Sequence, residues 1–296
     1  MDPATSIEVV VCSGSGKPIF HYAHRPRAIT ANADVDGTNA GARDADTGPN
    51  SAAHASSAAS SLQGLLAFVA CTQHEQLREL QAPGLRAFFR TSGPLSVAVV
   101  LRAASPAAVT PRCDNTDGSS WDPNPTLAQA MPPPDVAPEC LQRLTELLHA
   151  QILFVLTERG LDVLRRQPGY DLRELLRGTE RVMAALCARW AAEPALRFPG
   201  LGVPFVRLAA AQRLAASRAL ESEPPPPLPP SSGSHASMIC GVLLVRRQVV
   251  AVAQPNRKHF GILVDDLLLL INFVYSTPSL ATSETWTPIC LPNFNA

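Results

Sequence analysis

Apolar and polar positions follow two different periods along the chain, and their order sketches a fold. Residues 7–12 are a β-branched apolar run, "SGSGK" reads as a turn, and residues 18–22 resume an extended pattern, so the chain opens on a hairpin. Leu62, Leu65, Leu66, Phe68 and Val69 then recur at helical spacing. Residues 77–80, 85–90 and 95–101 read as three strands separated by "APG" and "TSGP" turns. Leu141, Leu144, Leu148, Ile152 and Val155 predict a long amphipathic helix that Gly160 ends. Asp171, with Glu174 three residues later, predicts another whose apolar stripe is Leu172, Leu175, Leu176, Met183, Leu186 and Trp190. The order ββαβββαα defines an α/β (α+β) sandwich, a mixed sheet with helices against it.

The pattern then starts again. Residues 238–245 and 249–253 form a second hairpin around an "RRQ" turn, a helix begins near Asp265 or Asp266, and residues 287–291 read as a third strand. "LQGLLAFV" at 62–69 lies over "LLLLINFV" at 267–274, so the two halves read as copies of one unit.

Composition separates these blocks. Residues 31–60 carry four Asp and almost no large apolar residue, residues 104–138 are Pro, Ala, Asp and Asn around Trp121, and residues 221–237 contain "EPPPPLPPSSGSH". The first two are expected to be disordered insertions in a first domain of residues 5–220. The third is expected to be a linker to a second domain of residues 238–296. The 25 basic residues balance the 25 acidic ones, which removes the global electrostatic case for nucleic acid. Seven cysteines without a C-x-x-C pair point to a reducing compartment, and the apolar run at 267–275 falls well short of the ~20 residues of a membrane span.

Candidate chemistry is sparse. Gly14, Gly16 and Lys17 raise a phosphate loop, but Pro18 stands where Ser or Thr belongs and a strand follows instead of a helix, so a hairpin turn fits better. No His or Cys spacing supports a metal site. Cys12, Cys240 and Cys290 read as packed thiols. Asp171, Glu174 and Glu180 with Arg173, Arg177 and Arg181 read as an ion-paired helix face.

Several stretches resemble, in order, the vacuolar fusion proteins of the Mon-one, or SAND, family: "SGKPIF" (15–20), "GPLSVAV" (93–99), "QILFVLT" (151–157), "YDLRELLRGTER" (170–181), "LLINFV" (269–274) and "WTPICLPNFN" (286–295). The motif positions are Tyr170, Asp171, Arg173, Gly178, Trp286, Pro288, Cys290 and Pro292. The resemblance implies longin-type domains, the first complete and the second only a hairpin, helix and strand, with a third missing, so that the chain is expected to be C-terminally incomplete. It implies a non-enzymatic catalyst without cofactor or catalytic residue. Such a subunit pairs with a Ccz-one type longin subunit as a guanine nucleotide exchange factor for a Rab-seven type GTPase, in the cytoplasm and peripherally on late endosome or vacuole membranes. An interaction scaffold without exchange activity is the alternative. Partner contact would fall to the outward members of Leu62, Leu65, Leu66 and Phe68, with Lys17 and Pro18 in a turn, and Arg173 and Arg177 facing acidic groups or a phosphoinositide headgroup. Where the family carries His-Pro before the second-domain helix, this chain has Val264 and Asp265.

Overall fold

The computed structural model describes residues 5–24, 49–74, 76–103, 136–167, 170–171, 176, 178–222, 238, 240–254 and 261–294. They divide into two compact units. One comprises Met1–Glu146 with Leu161–Arg177, the other Leu147–Gly160 with Gly178–Ala296.

The first unit is built on an antiparallel five-stranded sheet. Its strands are β1 (Thr5–Ser13), β2 (Pro18–His24), β3 (Glu79–Ala82), β4 (Leu85–Ser92) and β5 (Leu95–Ala103), in the order β2-β1-β5-β4-β3. β1 is central because it is apolar on both faces. Val9 sits across from Val99 and Val11 from Val97 on one face, and Val10 across from Ala98 on the other. All six are buried, as expected of a strand covered above and below. Helix α1 (Pro49–Gln73) covers the second face, where Ala59 and Leu62 join Val10, Cys12, Ala87, Phe89 and Ala98 in one cluster.

Three expectations need correction here. Helix α1 starts at Pro49, so residues 49–60 of the first expected insertion are helical, and Ala59 is fully buried. Ala59 joins the cluster against the sheet, with Ala58 packed beside it. Gly160 does not end the long helix α2 (Pro138–Arg166). The break falls at Thr157, whose φ of 61° and ψ of 166° are not helical, and the chain resumes helical geometry beyond it. The helix expected from Asp171 begins at Glu180 instead (α3, Glu180–Ala192). Gly178 takes a φ of 90°, a left-handed conformation that interrupts a right-handed helix, and its N–H donates to Glu180 Oε2 at 2.7 Å. The rest of each stretch expected to lack structure, at 31–48, 104–135 and 223–237, lies outside the described residues.

In the second unit, β6 (Gly241–Val245) and β7 (Gln248–Ala253) form an antiparallel hairpin, flanked by α4 (Ala210–Ser222) and α5 (Val264–Ser276). Val249, Leu267 and Ile271 make its buried cluster, with Val242 and Leu244 against it. The expected last strand does not form. Residues 284–290 are irregular, and Pro288 and Pro292, which have no N–H to give to a ladder, bracket the segment. Its Cys290 N–H donates to the Phe154 carbonyl at 2.9 Å. The fold class is otherwise as expected, mixed helix and antiparallel sheet.

One electrostatic cluster ties the first sheet across three strands. The Glu8 carboxylate lies 3.1 Å from His21 Nε2 and accepts from Arg102 Nη2 at 3.0 Å. The His21 hydrogen bond, helped by Arg102 against the cost of burial, holds the Glu8 carboxyl down to about 2 from the usual 4.5. A depressed acid stabilises the fold above its unfolded value and loses that contribution as pH falls through the folded one. Stability should therefore drop as pH falls from about 4.5 toward about 2, by on the order of 1–2 kcal/mol at this partly exposed site. Urea unfolding at neutral and acid pH checks it, and Glu8→Gln should flatten the dependence.

Candidate interaction surface

The β1–β2 turn is consumed by its own hydrogen bonds. Ser13 N–H donates to the Lys17 carbonyl at 2.9 Å, Lys17 N–H to Ser13 Oγ at 3.2 Å, and Gly14 N–H to the Pro94 carbonyl at 2.7 Å. Gln63 of α1 reaches down to the same turn, its Nε2 donating to the Gly14 carbonyl at 3.0 Å. Gly16 has a φ of 79°, and a Cβ there would come within 3.2 Å of Gln63 Cγ. The glycines thus serve the turn and the close approach of α1. A cavity of about 280 Å³ beside it is lined by Ser13, Gly14, Pro94, Leu164 and Arg165. Lys17 is exposed, and Pro18 opens β2 opposite Cys12.

The α1 side chains divide by direction. Leu62 is buried against the sheet, and Leu65 and Leu66 pack beside it, half-buried. Phe68 points away and is 64% exposed. Within the predicted set, then, Leu62, Leu65 and Leu66 are turned to the core side and Phe68 outward. The outer face around Phe68 is small and smooth: Ser60, Ser61, Gly64, Ala67 and Cys71 are also exposed, so another chain could approach the helix closely there.

The motif residues fall in the second part of the chain and around its boundary. Tyr170 and Asp171 are half-buried in non-helical backbone, and Arg173, like Arg177, lies outside the described residues. Trp286 is 66% exposed, Pro288 is exposed, and Cys290 and Pro292 are half-buried. What anchors this segment is a contact that the sequence reading missed. Asp266, in the first turn of α5 and fully buried, accepts from Asn293 twice, at 3.2 Å from its backbone N–H and at 2.9 Å from its Nδ2. Burial pushes the Asp266 carboxyl up, and the two Asn293 hydrogen bonds pull against it. The adjacent "DD" was legible as a helix start; its pairing with Asn293, 27 residues away, was not.

A second missed feature lies deeper in α5. Asn272 is buried and donates from Nδ2 to Gln151 Oε1 at 3.0 Å and to the Val182 carbonyl at 2.9 Å, tying three helical segments together. Its only signal in the sequence is one amide inside "LLLLINFV".

Titration at the cysteines follows burial. Desolvation raises the Cys12 thiol to about 11, and the Cys187 and Cys240 thiols are raised too, so none supplies thiolate at neutral pH. Among the described residues no group of three or more His, Cys, Asp or Glu side chains is placed to hold a metal ion. No helix among them is long and apolar enough to cross a membrane.

The first unit is thus a five-stranded sheet entered through a hairpin and covered by the helix that follows it, and the second carries a hairpin with its own helix. Residues 236–296 match the family model described as the second longin domain of FUZ, MON1 and HPS1. The chain is 34% identical over 161 residues to vacuolar fusion protein MON1 homolog A of Bos taurus, covering 54% of this chain and 26% of that one. It is equally similar to the Homo sapiens homolog A, 34% over 161 residues, with 54% and 22% covered. Vacuolar fusion protein MON1 of Cryptococcus neoformans is 35% identical over 162 residues, with 53% and 24% covered. The chain is similar to the MON1 vacuolar fusion proteins over about half of its own length, and it spans about a quarter of the length of those it matches.

Proposed function

We propose that this chain acts in vacuolar fusion traffic as one subunit of a heterodimeric guanine nucleotide exchange factor. Its partner is a Ccz-one type longin subunit, and its target is a Rab-seven type GTPase on late endosome or vacuole membranes. The observation that carries the reading is the match to MON1 proteins from animals and a fungus at about a third identity. Exchange of this kind needs no nucleophile or cofactor. It works by binding the nucleotide-free GTPase more tightly than the loaded one, which is differential binding. The outward face of α1 around Phe68 is the surface offered to the partner subunit, since its inner face is committed to the sheet.

The test is GDP release from the GTPase, with and without the partner subunit. Acceleration only with both subunits present supports the reading. Phe68→Asp should weaken partner binding by at least about tenfold, as loss of an apolar anchor does, while leaving thermal stability within about 0.5 kcal/mol because the side chain is exposed. The second reading is a scaffold that binds the partner without accelerating release. Binding with no change in release rate would select it. Peripheral membrane association through a phosphoinositide headgroup is part of the same proposal, checked by co-sedimentation with vesicles containing and lacking that lipid.

A further inference from the structure

The β6–β7 hairpin closes through a loop that its residues do not favour. Val245 pairs with Gln248, so the loop is Arg246 and Arg247 alone, with φ of 48° and 64°. Both are left-handed, as a tight hairpin turn requires, and Asn-Gly or Gly-Gly normally stands there because a Cβ crowds the following carbonyl. Arginine lacks both the freedom of glycine and the short side chain with which asparagine bonds its own backbone. Two adjacent arginines in this geometry cost stability, and strain of this kind concentrates where the side chains it presents have a function.

Both arginines are exposed, and Arg246 has no hydrogen bond or ion pair among the described residues. The Arg247 guanidinium lies over the Tyr275 ring of α5, its Cζ 5.6 Å from the centroid. Stacking fixes the plane of that fork while its N–H edge stays open to an acceptor. A turn at this place also remains at the surface when the sheet is complete. In the five-stranded first unit, Gly14, Ser15 and Lys17 of the corresponding β1–β2 turn are exposed. A hairpin tip is convex, so it does not enclose a small ligand or a peptide side chain. It can instead set two guanidiniums against a flat anionic surface, where each fork matches the oxygens of a phosphate.

We propose that the Arg246–Arg247 turn binds headgroup phosphates at a membrane surface. The inference rests on the peripheral membrane association proposed above, and it assigns that contact to residues other than Arg173 and Arg177. Because the 25 basic and 25 acidic residues of the chain balance, attraction to an anionic surface has to come from a local pair such as this one.

The test is co-sedimentation of the full chain with phosphatidylcholine vesicles that carry or lack a phosphatidylinositol phosphate. Saturable binding to the phosphoinositide vesicles alone is the expected result. Arg246→Asn with Arg247→Gly installs the residues that the turn geometry favours. It should weaken binding by at least about tenfold and raise the melting temperature, because cations and strain leave together. Arg207→Gln with Arg218→Gln removes the same charge from exposed positions of the same unit and should keep binding within about threefold. A turn variant that binds as tightly as the parent chain, or melts below it, overturns the inference and leaves the membrane association standing. So does a control pair that loses as much binding as the turn variant. Equal binding to both vesicles, or none to either, overturns the inference and the phosphoinositide association together. Binding of soluble inositol phosphate without sedimentation overturns it as well, by assigning the turn to a free phosphate.

Discussion

Trp190→Ala should lower the unfolding free energy of the second unit by about 3–5 kcal/mol, the range for truncating a fully buried aromatic side chain. Trp190 is the largest fully buried side chain among the described residues and sits on α3 with Met183, Leu186 and Cys187, which are buried on the same helix. Its ring also carries the Arg197 guanidinium, whose Cζ is 5.3 Å from the ring centroid and whose Nη2 donates to the Ala191 carbonyl at 3.1 Å. Removing the indole empties a large volume and takes away the surface that this cation rests on. Trp190→Phe should cost much less. Most of the apolar contact survives, and the buried Nε1, which has no hydrogen-bond partner among the described residues, is removed with the indole. Urea unfolding followed by far-UV circular dichroism reads both variants. A loss below about 1.5 kcal/mol for the alanine variant would contradict the burial of Trp190.

Asn272→Ala should cost about 2–4 kcal/mol, because it strips two buried acceptors, Gln151 Oε1 and the Val182 carbonyl, of their donor at once. Asn272→Asp should be worse at neutral pH, since it places a buried carboxylate against those same acceptors, and it should recover partly when acid protonates it. The double replacement Asn272→Leu with Gln151→Leu is expected to be milder than the sum of its parts. Asn272 Oδ1 and Gln151 Nε2 have no partner among the described residues, so each amide leaves polar capacity unused there, and an apolar pair removes that cost. A double-mutant cycle by thermal unfolding gives the coupling energy. Additivity within about 0.5 kcal/mol would mean that the two amides do not act as a pair.

Much of the strand framework was legible because its signal is local. The first hairpin and the three strands after α1 are short, β-branched and apolar runs bounded by glycine turns, and they form where that pattern puts them, β3 two residues late. The misplacements have physical causes that residue type alone does not reveal. Residues 49–60 look too small and polar for a core, yet a helix of alanines and serines approaches a sheet closely enough to bury Ala59. The "YDLRELLRG" stripe has helical spacing, but much of it lies outside the described residues, and the described helix begins only at Glu180, after Gly178 in the left-handed region. "TPICLP" has strand composition, but a strand needs a ladder partner, and its prolines leave few donors to make one. Helix α4 went unpredicted because its residues have no apolar stripe and none is buried; its side chains close the β7 edge instead.

The sequence by itself determined the class of the fold, the two hairpin-and-helix starts and the resemblance to MON1 proteins that the comparisons bear out. Each depends on patterns within a few residues of one another or on motifs read in order. The tertiary structure alone decided which side of α1 faces outward at Phe68, that Asn293 holds Asp266, that Asn272 joins Gln151 across 121 positions, and that α4 covers the outer edge of β7. These depend on which distant groups come within hydrogen-bonding or packing distance, and no local period encodes that.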